Sequence, residues 1–137
     1  MPYEIKISDR LITIRMFGLL TSEELALCSD ELVKIDTGSP VSLDRVTDLT
    51  EIDALHLDFG AVDAIAARRR AAAVKNSIKS ALVAPKPVQF GLSRMFQTLA
   101  TNPKIQIEIF KDRPGAMKWL SKDPKADEAS AQQRLSK

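Results

Sequence analysis

Tyr3, Ile5 and Ile7 alternate with polar residues, Ser8-Asp9-Arg10 interrupts the run, and Ile12, Ile14 and Met16 resume it. A period of two with β-branched residues and a short polar break predicts an antiparallel hairpin, with Gly18 marking its exit. A helix follows, capped by Thr21 or Ser22, with Glu23 and Glu24 where carboxylates suit the positive end of the helix dipole. Leu25, Cys28, Leu32 and Ile35 recur at helical spacing as one apolar stripe, and Thr37-Gly38-Ser39-Pro40 stops the helix. Val41 to Leu49 reads as a third strand despite the charges at Asp44, Arg45 and Asp48, and Thr50 to His56 as a loop.

The pattern then returns to helical spacing. Asp58 to Lys75 predicts a second helix carrying Phe59, Val62, Ile65 and Ala66. Ile78 to Ala84 reads as a buried strand closed by Pro85-Lys86-Pro87, and Pro87 suits the first turn of a third helix. Val88, Leu92, Met95, Phe96 and Leu99 share one face of that helix, whereas Phe90 points away from it. After the stop at Asn102-Pro103, Ile105, Ile107 and Ile109 alternate as a final strand. A last helix from Asp112 to Leu120 turns Ala116, Trp119 and Leu120 inward. The order ββαβαβαβα predicts one α/β domain over residues 1–121, a mixed sheet covered by helices, followed by a polar, flexible tail over 122–137.

Composition narrows the class without naming a function. A chain of 137 residues with 45% apolar and 28% charged residues is sized and stocked for one buried core. A net charge of +2 argues against a dedicated nucleic-acid binder. One cysteine excludes an internal disulfide and points to a reducing, cytoplasmic setting. The first residues lack the apolar core of a signal peptide, and no apolar run reaches the roughly 18 residues that span a bilayer.

Candidate chemistry is sparse. His56 is the single histidine, so neither a His pair for zinc nor a His relay is available, and a partly buried structural role is expected of it. Cys28 sits on an apolar stripe and reads as a small buried hydrophobe. The five glycines form no phosphate-cradling motif, and Glu23 and Glu24 are neighbours that point apart on a helix. No catalytic residue, metal site or cofactor is predicted. Arg68-Arg69-Arg70, with Lys75, Lys79 and Lys86, is the strongest charge feature, read as a solvated helix face or as a surface for phosphate or lipid headgroups.

The run Pro87-Val88-Gln89-Phe90-Gly91-Leu92-Ser93-Arg94-Met95-Phe96 resembles the strand-to-helix segment of the SpoIIAA-like (STAS/SEC14-type) family. Ile107 to Phe110, Asp112, the closing Ala116 to Leu120, the Gly18-Leu19-Leu20-Thr21 lead-in and the element order are similar as well. The resemblance implies a sheet with helices packed mainly on one side, in a fold shared by anti-sigma-factor antagonists and CRAL-TRIO-like lipid carriers. In the antagonists a serine that opens the second helix is phosphorylated by a partner kinase. Asp58 stands at the matching position, switch-like in place but already negative, and ordinary helix capping accounts for it equally.

The resemblance also implies a nonpolar ligand held by the second and third helices. Phe59, Val62, Ile65, Phe90 and Met95 are the residues expected to line that pocket, with Arg68, Arg69 and Arg94 as a basic rim for an anionic head. The expected function is therefore a non-catalytic carrier or sensor of an apolar or amphipathic small molecule. Peripheral contact with the inner membrane face stays open, as does a homodimer through an edge strand or Phe90. The alternative is a protein-interaction regulator of the partner-switching kind.

Overall fold

The computed structural model of the chain describes residues 3–122. Strand β1 (Tyr3–Ser8) pairs antiparallel with β2 (Leu11–Thr21), from Tyr3 opposite Met16 to Ser8 opposite Leu11. Asp9 and Arg10 make the two-residue turn, both left-handed at φ 49° and 65°, the turn form whose twist matches a hairpin. Gly18 is not the exit: at φ 69° it lets β2 bend and continue to Thr21. There the Thr21 hydroxyl accepts from the Glu24 N–H and opens α1 (Ser22–Gly38).

The remaining elements are β3 (Asp44–His56), α2 (Phe59–Arg70), β4 (Ile78–Val83), α3 (Pro87–Leu99), β5 (Ile105–Phe110) and α4 (Arg113–Leu120). The described residues form one five-stranded sheet in chain order, with β2 to β5 all parallel. Right-handed crossovers between strands adjacent in chain order put α1, α2 and α3 on one face, where α1 packs on α2 and α2 on α3. On the other face α4 covers Val46, Ala81 and Val83 with Ala116, Trp119 and Leu120. Lys79, buried in β4 on that side, donates to the Trp119 carbonyl at 3.1 Å and lies 5.2 Å from its ring centre. A cation at the negative end of α4 holds the helix in place.

Three boundaries differ from the reading of the sequence. Residues 50–56, expected as a loop, extend β3 to His56, where it pairs with Thr21 of β2. The register carries two irregularities, each giving β3 an extra residue, and such bulges bend a strand. Beyond Asp48, the partner of Val83 at the end of β4, the β2–β3 ribbon therefore runs on without β4 and leans towards α3. His56, expected partly buried in a loop, is exposed at the strand's end.

Helix α2 ends at Arg70 and not Lys75, because the Asn102 side chain takes the Arg69, Arg70 and Ala72 carbonyls at 3.0, 3.2 and 3.1 Å. A side chain from the α3–β5 loop thus does what a C-terminal glycine usually does. On α3 the buried face carries Gln89 and Ser93, while Val88, expected inward, is exposed. The polar tail expected over 122–137 lies, from residue 123 on, outside the described residues.

Candidate functional site

Side chains of the sheet and of the three helices above it do not meet completely. They leave a chamber of about 130 Å³. Ile14 and Met16 of β2, Thr47 and Leu49 of β3 and Leu82 of β4 form its floor, with Cys28 and Leu32 of α1, Val62 and Ile65 of α2 and Leu92 and Phe96 of α3 as its roof. Leu20, Ile52 and Leu55 of the bent β2–β3 ribbon wall it at one end. Gln89 fastens that wall to α3: its amide donates to the Ile52 carbonyl at 3.4 Å, and its oxygen accepts from the Lys86 N–H at 3.3 Å.

Charge enters the chamber lining at one place. Asp36, near the end of α1, receives Arg45 through two bonds of 2.8 and 2.9 Å and Arg69 through one of 3.4 Å. Both guanidinium groups are deeply buried, and Arg45 also donates to the Leu43 carbonyl at 2.7 and 3.2 Å. Burial, and after it the neighbouring Arg45, hold Arg69 below the usual guanidinium range. Burial likewise pushes the Cys28 thiol up to about 12, so it lines the chamber as an uncharged group.

Two polar atoms in this lining are left over. The hydroxyls of Ser29 on α1 and Ser93 on α3, at 7% and 3% residue exposure, have no hydrogen-bond partner. Sequence reasoning passed over both, and over Asp36, Arg45 and Gln89. The available signal was positional: Ser29 follows Cys28 on the stripe of α1, and Ser93 falls one helical turn after Gln89.

The residues expected to form the ligand pocket and its rim divide between interior and surface. Val62 and Ile65 line the chamber. Met95 is half-buried outside it, and Phe59 and Phe90 stand in solvent at 62% and 45% exposure. Arg68 is exposed and paired with Asp30, Arg69 is inside with Asp36, and Arg94 is exposed and bonded to Gln97 at 2.8 Å. These three arginines do not converge on one rim. The reason is physical: consecutive Arg68 and Arg69 point about 100° apart around a helix, so one goes in and one goes out.

Asp58 caps α2, its carboxylate accepting from the Ala61 N–H at 2.7 Å. Several apolar side chains are exposed near or after the C-terminal ends of parallel strands. Phe59 follows β3, Val88 (70% exposed) and Phe90 follow β4, and Leu19 (47% exposed) lies near the end of β2. Among the described residues, no group of three or more His, Cys, Asp or Glu side chains is placed to hold a metal ion, and no helix is long and apolar enough to cross a membrane.

The chain matches no family model, and no curated protein is similar to it in sequence. Solved structures share its fold. One is an uncharacterized protein of the DUF3478 family with a SpoIIAA-like fold from Shewanella loihica PV-4. It superposes with a TM-score of 0.56 at 20% identity, over 86% of this chain and 91% of its own. Another is the anti-sigma factor antagonist SpoIIAA in its unphosphorylated form, with a TM-score of 0.56 at 14% identity, over 82% of this chain and 91% of its own. With its five-stranded mixed sheet and four described helices, this chain has a SpoIIAA-like fold.

Proposed function

We propose that this chain is a non-catalytic regulatory module that works by binding another protein at the edge around Asp58 and the start of α2. The observation that carries the reading is Phe59, 62% exposed at the first position of α2 beside Asp58, with Val88 and Phe90 exposed at the start of α3. Large aromatic side chains of this kind are the usual anchors of protein–protein contacts. Likeness of fold to an anti-sigma factor antagonist supports a protein as that partner. Asp58 then puts a carboxylate next to Phe59. The test is binding of the purified chain to anti-sigma factors from the same genome, measured by calorimetry. Phe59→Asp should weaken binding at least tenfold, and Asp58→Ser should shift it. Absence of any binder, or equal affinity of wild type and Phe59→Asp, rejects this reading.

A second reading rests on the chamber. Its apolar lining with a few polar groups is the kind of interior in which small molecules are held. We infer a carrier or sensor role for it, in which a guest between the sheet and α1 to α3 tightens the helices that also present Phe59 and Phe90. Native mass spectrometry on protein purified without detergent should show an adduct. Neither adduct nor any thermal shift with added small amphiphiles would end this second reading.

A further inference from the structure

Size limits what the chamber can take. An apolar protein cavity of about 150 Å³ receives one benzene molecule, and a water molecule's share of the liquid is about 30 Å³. At about 130 Å³ the chamber has room for a single six-membered ring.

Polarity limits it further. A buried hydroxyl without a partner is costly, so Ser29 and Ser93 are unexplained as packing residues. The charged and amide groups of the lining are already committed: Arg45 and Arg69 to Asp36, and Gln89 to Ile52 and Lys86. A ring with one hydrogen-bonding group matches both parts of the chamber.

We propose that the chamber is a binding site for one compact, uncharged aromatic molecule of the phenol class, its ring filling the void and its hydroxyl pairing with Ser29 or Ser93. This rests on the second reading above and narrows it from amphiphiles in general to a guest of about seven heavy atoms.

Four probes decide the matter on the full chain: phenol, benzene, benzoate and 1-decanol, each followed by calorimetry and by thermal shift. Phenol should bind more tightly than benzene by about 3–10-fold, the worth of one net hydrogen bond. The Ser29→Ala/Ser93→Ala double variant, which removes hydroxyls that hold nothing in place, should fold normally, keep its benzene affinity and lose the preference for phenol. Equal affinity for phenol and benzene, or a phenol preference that survives in the double variant, overturns the assignment of the hydroxyls. Tighter binding of benzoate overturns the uncharged guest. Binding of 1-decanol without phenol overturns the size argument while leaving a ligand chamber in place. If none of the four binds, the chamber reading falls together with the proposal.

Discussion

Replacing Asp36 by alanine tests whether the interior charges are held in the way the geometry implies. Asp36 is the shared acceptor of two buried guanidinium groups, and among the described residues Arg69 donates to no other side chain. Removing the carboxylate leaves two positive charges facing each other beneath the helices, with only the Leu43 carbonyl still serving Arg45. Breaking a buried pair from one side typically costs about 3–5 kcal/mol, because the surviving charge keeps its desolvation penalty. Native stability is only about 5–15 kcal/mol, so the loss is a large share of it. In Tm the drop should be roughly 10–20 °C for a domain of this size. Urea unfolding gives the free energy directly, and Asp30→Ala provides the internal control. Its Arg68 partner is half-exposed, so that change should cost less than about 1 kcal/mol. Adding Arg69→Met to the Asp36→Ala chain removes one stranded charge and should restore part of the loss. A cost near that of Asp30→Ala, or additivity of the Asp36 and Arg69 changes, would refute the reasoning.

Three further outcomes follow from single positions. Asp58→Ala should lower stability by about 1 kcal/mol by uncapping α2, whereas Asp58→Ser keeps a capping oxygen and should change it little, both read from urea midpoints. Arg10→Gly relieves a left-handed arginine in the β1–β2 turn and should raise stability by about 0.5 kcal/mol; a loss would show that the turn does not need φ > 0 there. The native Cys28 thiol, held up to about 12, should resist a thiol reagent at pH 8 and react fully in urea. The sign with pH follows from the same shift. Between about 9 and 12 the unfolded chain loses the thiol proton and the native chain keeps it, so stability falls as pH rises. Cys28→Ala should show a shallower fall over that interval, and an identical one would contradict a buried thiol.

Much of the fold was written locally. The hairpin, the caps at Thr21 and Asp58, Pro87 at the start of α3 and the alternation of Ile105, Ile107 and Ile109 all use neighbours in sequence, and each appears in the structure. Where the reading and the structure part, the cause lies far along the chain. Ala71 to Ala73 are good helix formers, yet Asn102 takes the carbonyls that would have continued α2. Residues 50–56 alternate poorly because bulges interrupt β3, and a bulge erases the period that marks a strand.

The candidate site was harder to read for a related reason. Apolar residues declare themselves by spacing, and Val62 and Ile65, spaced for the buried face of α2, line the chamber. Phe59 and Phe90 were grouped with them on hydrophobicity alone, but each sits in the first turn or so of its helix, past the end of a strand, where no layer lies above it. Serine and arginine on a helix look like solvent contacts from sequence, because their polarity predicts exposure. Ser29, Ser93 and Arg69 are buried because they lie on the faces that α1, α2 and α3 turn towards the sheet and one another. An acidic residue near the end of a helix, such as Asp36, opposes the helix dipole and has no local reason to be there. Its reason is Arg45, nine residues on and across a chain reversal, together with Arg69 from the next helix. Polar residues that break a local rule are thus the ones around which this interior is organised.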